Sequence, residues 1–62
     1  MAIDDALGRL EAIDAQAAAV VKLRYFSGLT MPQTAAALGI PLRTAERNWT
    51  YARMWLRRAL AQ

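Results

Sequence analysis

The chain has 62 residues and a formal charge of +3, with no cysteine and no histidine. Its length supports one small domain that buries only about 60% of its unfolded surface, so stability is marginal. Disulfides, thiolate metal sites and the commonest general base are all missing, and the five acids (Asp4, Asp5, Glu11, Asp14 and Glu46) are scattered, which argues against an enzyme and implies no cofactor and no metal.

The charge is unevenly spread. Residues 1–21 carry four acids and one base, Arg9, whereas residues 22–62 carry seven bases and one acid, Glu46. A basic C-terminal half points to a polyanion, most simply nucleic acid. A solvated basic face is the alternative on charge alone. No stretch approaches the roughly 18 consecutive apolar residues of a membrane span. Asp4 and Asp5 stand where a secretory signal would be basic, so a cytoplasmic location is the default, with no membrane partner. Much of the apolar content is alanine, which favours helices in close approach over a sheet.

Met1–Ala2 reads as a start segment. Ile3, Leu7, Leu10 and Ile13 then recur at close to helical spacing and predict a first helix from Ile3 to Ile13. Asp4 and Asp5 fall in its first turn, favourably for the helix dipole, and Gly8 weakens it by about 1 kcal/mol relative to alanine. Asp14 suits the cap of a second helix, from Ala15 to about Ser27. Ala17, Val20, Val21, Leu23, Tyr25 and Phe26 give that helix an apolar stripe wider than one face, interrupted by Lys22 and Arg24. Such a helix must touch more than one neighbour. Gly28 supplies its stop.

Thr30-Met31-Pro32-Gln33 fits a capping box. Thr30 therefore opens a third helix, running Gln33 to Leu38, with Pro32 tolerated in the first turn. Gly39 ends it in the left-handed conformation, and Ile40 plugs the space before the next helix. Pro41 starts a last helix from Leu42 to Leu60. No segment alternates as a strand does. The expected fold is all-α, a small four-helix domain with three short helices and a long C-terminal one.

At about 100° per residue, Ala45, Trp49, Ala52, Leu56, Ala59 and Leu60 share one side of the last helix. Arg43, Arg47, Arg53, Arg57 and Arg58 occupy an arc on the other. Arg43 and Arg47 lie in the first two turns beside Thr44 and Asn48, where forked basic and short polar side chains suit major-groove readout. Arg57 and Arg58 lie roughly 20 Å along the axis from Arg43, too far for one straight helix to bring both ends to the bases. Trp49 reads as a core residue. Trp55 is off the stripe and either covers the second helix or stays exposed as a protein contact. Met31 and Met54 read as gap-fillers or surface residues.

Ala35 and Gly39 have helix-turn-helix spacing, with Thr34, Leu38, Ile40 and Ala45 inward. The longer run VVKLRYFSGLTMPQTAAALGIPLRTAERNWTYARMWLRRAL resembles region 4 of the extracytoplasmic-function (ECF) sigma factors of bacterial RNA polymerase. The matching pieces include Leu23-Arg24-Tyr25-Phe26, Gly28-Leu29-Thr30, Leu38-Gly39-Ile40, Arg43-Thr44, Glu46-Arg47, Trp49 and Ala52-Arg53. The resemblance implies recognition of the −35 promoter element on double-stranded DNA, with the last helix in the major groove. It assigns base contacts to Leu42, Arg43, Glu46 and Arg47, with Thr44 close by, and backbone contacts to Thr30, Gln33 and Arg53. It also implies docking on the β flap of the polymerase core, and an anti-sigma factor as a further partner. Two departures stand out. Pro41 replaces the usual serine cap, a change typically worth about 1 kcal/mol. Ala45 replaces a larger β-branched residue. Region 2, which a complete sigma factor also carries, has no counterpart here.

Two other readings stay open. One is the DNA-binding domain of a LuxR-type regulator, whose acidic opening signature and histidine-containing recognition helix are missing. The other is a protein-interaction module for polymerase or an anti-sigma factor, favoured by the apolar excess of the second helix.

Overall fold

A computed structural model describes residues 3–61. It contains α1 (Ile3–Ile13), α2 (Ala15–Tyr25), α3 (Met31–Leu38) and α4 (Leu42–Ala61), and no strand among the described residues. The all-α, four-helix fold is therefore the observed one. The start segment Met1–Ala2 lies outside the described residues.

One residue separates α1 from α2. Asp14 donates its amide to the Leu10 carbonyl at 2.7 Å, and its own carbonyl accepts from Ala18 at 3.1 Å. Its carboxylate accepts from the Ala17 amide at 3.1 Å, satisfying one of the orphan donors of the first turn. The same residue thus closes one helix and opens the next, which forces a tight reversal.

α2 stops at Tyr25, short of the expected Ser27. Phe26 and Ser27 both donate to the Lys22 carbonyl, and Leu29 reaches back to the Leu23 carbonyl at 3.1 Å. The Phe26 bond is the last of the i→i−4 ladder, and the wider Ser27 and Leu29 bonds end it. Gly28, at φ +70°, makes the bend that brings Leu29 back.

α3 begins at Met31, two residues before the expected Gln33. The capping box is fully formed: the Gln33 amide donates to Thr30 Oγ1 at 3.2 Å, and the Thr30 amide donates to Gln33 Oε1 at 2.9 Å. Pro32 sits where the missing N–H has no intrahelical partner to lose. At the other end Gly39 is left-handed, at φ 67° and ψ 33°. Ile40 donates to the Ala35 carbonyl and Gly39 to the Ala36 carbonyl, the paired bonds of a Schellman turn. α4 opens without a side-chain cap: the Pro41 carbonyl accepts from Ala45 at 3.0 Å, but proline has no side-chain acceptor to offer.

The main core joins α1, α2 and α4 through Ala6, Leu7, Leu10, Ala17, Ala18, Val21, Ala52, Leu56 and Ala59. Alanines let these backbones approach closely. α3 packs on α4 and α2 through buried Thr34 and Ala35, and among the described residues it does not reach α1. The wide apolar stripe of α2 is explained by this, since α2 touches all three other helices. At about 1.5 Å per residue, α4 is roughly 30 Å long, and it runs the length of a molecule measuring 32 × 19 × 17 Å.

Several apolar positions end up outside. Tyr25, the last residue of α2, and Phe26, its C-cap, are exposed and stack edge to face on each other, centroids 5.6 Å apart. Ile13 is exposed at the reversal, and Leu60 is exposed rather than part of the core face of α4. Leu38 and Ile40 are half-buried, whereas Thr34 and Ala45 are fully enclosed.

Candidate nucleic-acid interface

The Schellman turn at Gly39 separates α4 from α3, and burial of Ala45 fixes which side of α4 faces inward. The opposite side of its first two turns is then exposed. Leu42, Arg43, Glu46 and Arg47 all lie there, at the i, i+1, i+4, i+5 spacing of one helical face. Thr44 is half-buried and stands apart from that group. Among the described residues no ion pair joins Glu46 to Arg43 or Arg47, so both guanidinium forks keep their donors. Asn48 is turned aside: its Nδ2 donates to Gln16 Oε1 at 2.8 Å, tying α4 to the first turn of α2.

Thr30 and Gln33 are exposed at the start of α3. The capping box occupies Thr30 Oγ1 and Gln33 Oε1 as acceptors. The donors of these side chains, the hydroxyl hydrogen and the amide NH₂, are not used by the box. Together with the positive end of the helix dipole they make an anion-facing corner.

Arg53 departs from the picture of an open basic arc. Its guanidinium lies 5.8 Å from the centroid of the Trp49 ring, one turn back along α4. Arg24 of α2 lies over the same ring at 5.1 Å and donates from Nη1 to the Leu29 carbonyl at 3.0 Å. Trp49 is half-buried, packed against the core cluster, and carries both cations. Trp55 also packs against that cluster, with Arg9 of α1 over its ring at 5.8 Å. It is thus neither a free protein contact nor a cover for α2 alone.

The role of Arg24 was not evident from the residues in order. A cation that interrupts an apolar stripe is the one available signal, because such a group must find a π face or a carbonyl to stay there. On the side of α4 that carries Arg53 and Arg57, a groove of 280 Å³ opens, walled by Val21, Tyr25, Trp49 and Leu56. Among the described residues no cluster of acids, histidines or cysteines fits a metal ion, and no helix is long and apolar enough to cross a membrane.

A family model described as ECF sigma factor matches residues 1–62. No curated protein and no solved structure matches the chain.

Proposed function

The chain belongs to the ECF sigma factor family, whose members act in transcription initiation with RNA polymerase and promoter DNA, and from that premise we propose that it is a region 4 domain reading the −35 element. The observation that carries the proposal is the exposed group Leu42, Arg43, Glu46 and Arg47 on the first two turns of α4. In this reading α3 and α4 form a helix-turn-helix, and the start of α4 enters the major groove. Arg43 and Arg47 donate to guanine O6 and N7, Glu46 accepts from cytosine N4, and Leu42 meets a thymine methyl. Thr44 lies at the edge of this contact. Thr30 and Gln33 hold one backbone phosphate from the capped start of α3, and Arg53 holds another.

Docking on the β flap of the polymerase, and cover by an anti-sigma factor, belong to surfaces away from Arg43 and Arg47. The apolar groove beside Trp49 and the exposed Tyr25–Phe26 pair support that part of the proposal. Membership of the ECF family favours this function over a LuxR-type regulator.

The test is selection of duplexes from a randomised DNA library by the chain, followed by titration across salt concentrations. A defined enriched sequence is expected, over a non-specific background Kd of about 10⁻⁴–10⁻⁶ M with steep salt dependence. Indifference to every duplex at low salt, with tight binding of a β-flap fragment, would leave a protein-interaction module and refute promoter reading by this chain.

A further inference from the structure

We propose that Trp49 is a positioning residue that sets the start of α3 against the middle of α4, acting through Arg24. Three observations meet at this ring. The Arg24 guanidinium lies over it at 5.1 Å, and the Arg53 guanidinium lies over it at 5.8 Å. Arg24 also donates to the carbonyl of Leu29, the residue immediately before the Thr30 cap. The chain of contacts therefore runs from α4, through the ring and the α2 arginine, to the residue that precedes the cap of α3.

Arg24 has few other choices. Its Nε is buried with no hydrogen-bond partner. Among the described residues no carboxylate lies within ion-pair distance of it. A partly dehydrated guanidinium without a counter-ion stays in place only if a π face and a carbonyl compensate for lost water. Those are the two partners present. The ring thus keeps a cation under the Leu29 carbonyl, directly before the capping box in which the Thr30 hydroxyl accepts from the Gln33 amide. Arg53, held by the same ring, is fixed relative to Thr30 by the same device. Two groups proposed to meet separate phosphates are thereby held at a set spacing.

The purpose of this device rests on the DNA-binding function proposed above; its geometry does not. The experiment compares Trp49→Phe, Trp49→Leu and Arg24→Lys with the unaltered chain, using two readouts. The first, without DNA, is amide hydrogen exchange at Thr30 and Gln33, referenced to the core amides of α1 and α2. The second is Kd for an enriched duplex and a scrambled duplex at fixed salt. With Trp49→Leu, exchange at Thr30 and Gln33 accelerates relative to the core, and binding of the enriched duplex weakens roughly 3- to 30-fold, the range of a partly desolvated cation–π contact. Trp49→Phe, which keeps a π face, retains most of both properties. Arg24→Lys, with its charge kept but its planar fork lost, falls between. If Trp49→Leu fails to fold, Arg24→Lys and Arg24→Met carry the same comparison with the ring intact. The proposal is overturned if phenylalanine behaves like leucine, or if exchange at Thr30 and Gln33 follows the core in every variant. If the unaltered chain selects no duplex, promoter reading fails, and the exchange data alone decide whether Trp49 positions α3.

Discussion

Gly8 and Gly39 allow one side-chain change to be read twice with opposite sign. A Cβ added at either position meets nothing within 4 Å, so packing contributes nothing in either case. The difference is backbone conformation. Gly8 lies inside α1 and is exposed, whereas Gly39 has φ 67° at the end of α3. Alanine at the helical position gains about 1 kcal/mol, because glycine loses more backbone freedom on folding. Alanine at the left-handed position is opposed by about 1–2 kcal/mol of contact between its Cβ and the carbonyl. A domain of this size shifts Tm by about 4–8 °C per kcal/mol. Gly8→Ala is therefore expected to raise Tm by about 4–8 °C, and Gly39→Ala to lower it by about 4–16 °C. Thermal and urea unfolding followed by far-UV circular dichroism measures both. Gly39→Asn should recover part of the loss, since asparagine tolerates the left-handed region. Shifts of the same sign for the two alanine variants would refute the reasoning, because it is the backbone conformation that gives the two changes opposite signs.

Other outcomes follow from single atoms. Thr34 is fully buried and its Oγ1 has no partner, so Thr34→Val should stabilise the fold by about 1 kcal/mol in urea unfolding. A loss instead would mean that the hydroxyl is hydrogen-bonded in solution. Thr30→Ala removes the acceptor for the Gln33 amide and should cost about 1 kcal/mol of stability. On the proposed function it also weakens duplex binding equally for enriched and scrambled sequences, a ratio read directly by competition titration. Arg43→Ala and Arg47→Ala should each reduce the preference for the enriched sequence by about 1–3 kcal/mol. Arg58→Ala, three turns or more further along α4, should leave that preference unchanged; a lost preference there would rule out base reading confined to the first two turns.

What could be read from the residues was local. Asp14, the Thr30–Gln33 box, and Gly39 each act within a few residues of themselves, so their type and order specify caps and turns before any tertiary contact exists. The buried side of α4 was legible at Ala45, Ala52, Leu56 and Ala59 because 3.6-residue periodicity is a property of the chain. It failed at Leu60, where the periodicity continues but the side chain is exposed although Ala59 beside it is buried. Tyr25 and Phe26 failed as well. They stand at the end of α2, where the Lys22 and Leu23 carbonyls accept amides from beyond the helix, and a count of apolar residues does not register where a helix ends.

The sequence by itself determined the four helices, their caps and the placement of Leu42, Arg43, Glu46 and Arg47 near the start of the last one. Only the tertiary structure decided which polar groups have partners. Gln16 meets Asn48 across 32 positions, and Arg24 meets Trp49 from another helix. Such pairs depend on how helices cross rather than on spacing along one of them. The same physical reason divides the arginines: Arg43 and Arg47 are exposed because of their own helix, while Arg24 and Arg53 are oriented by a ring that packing brought to them.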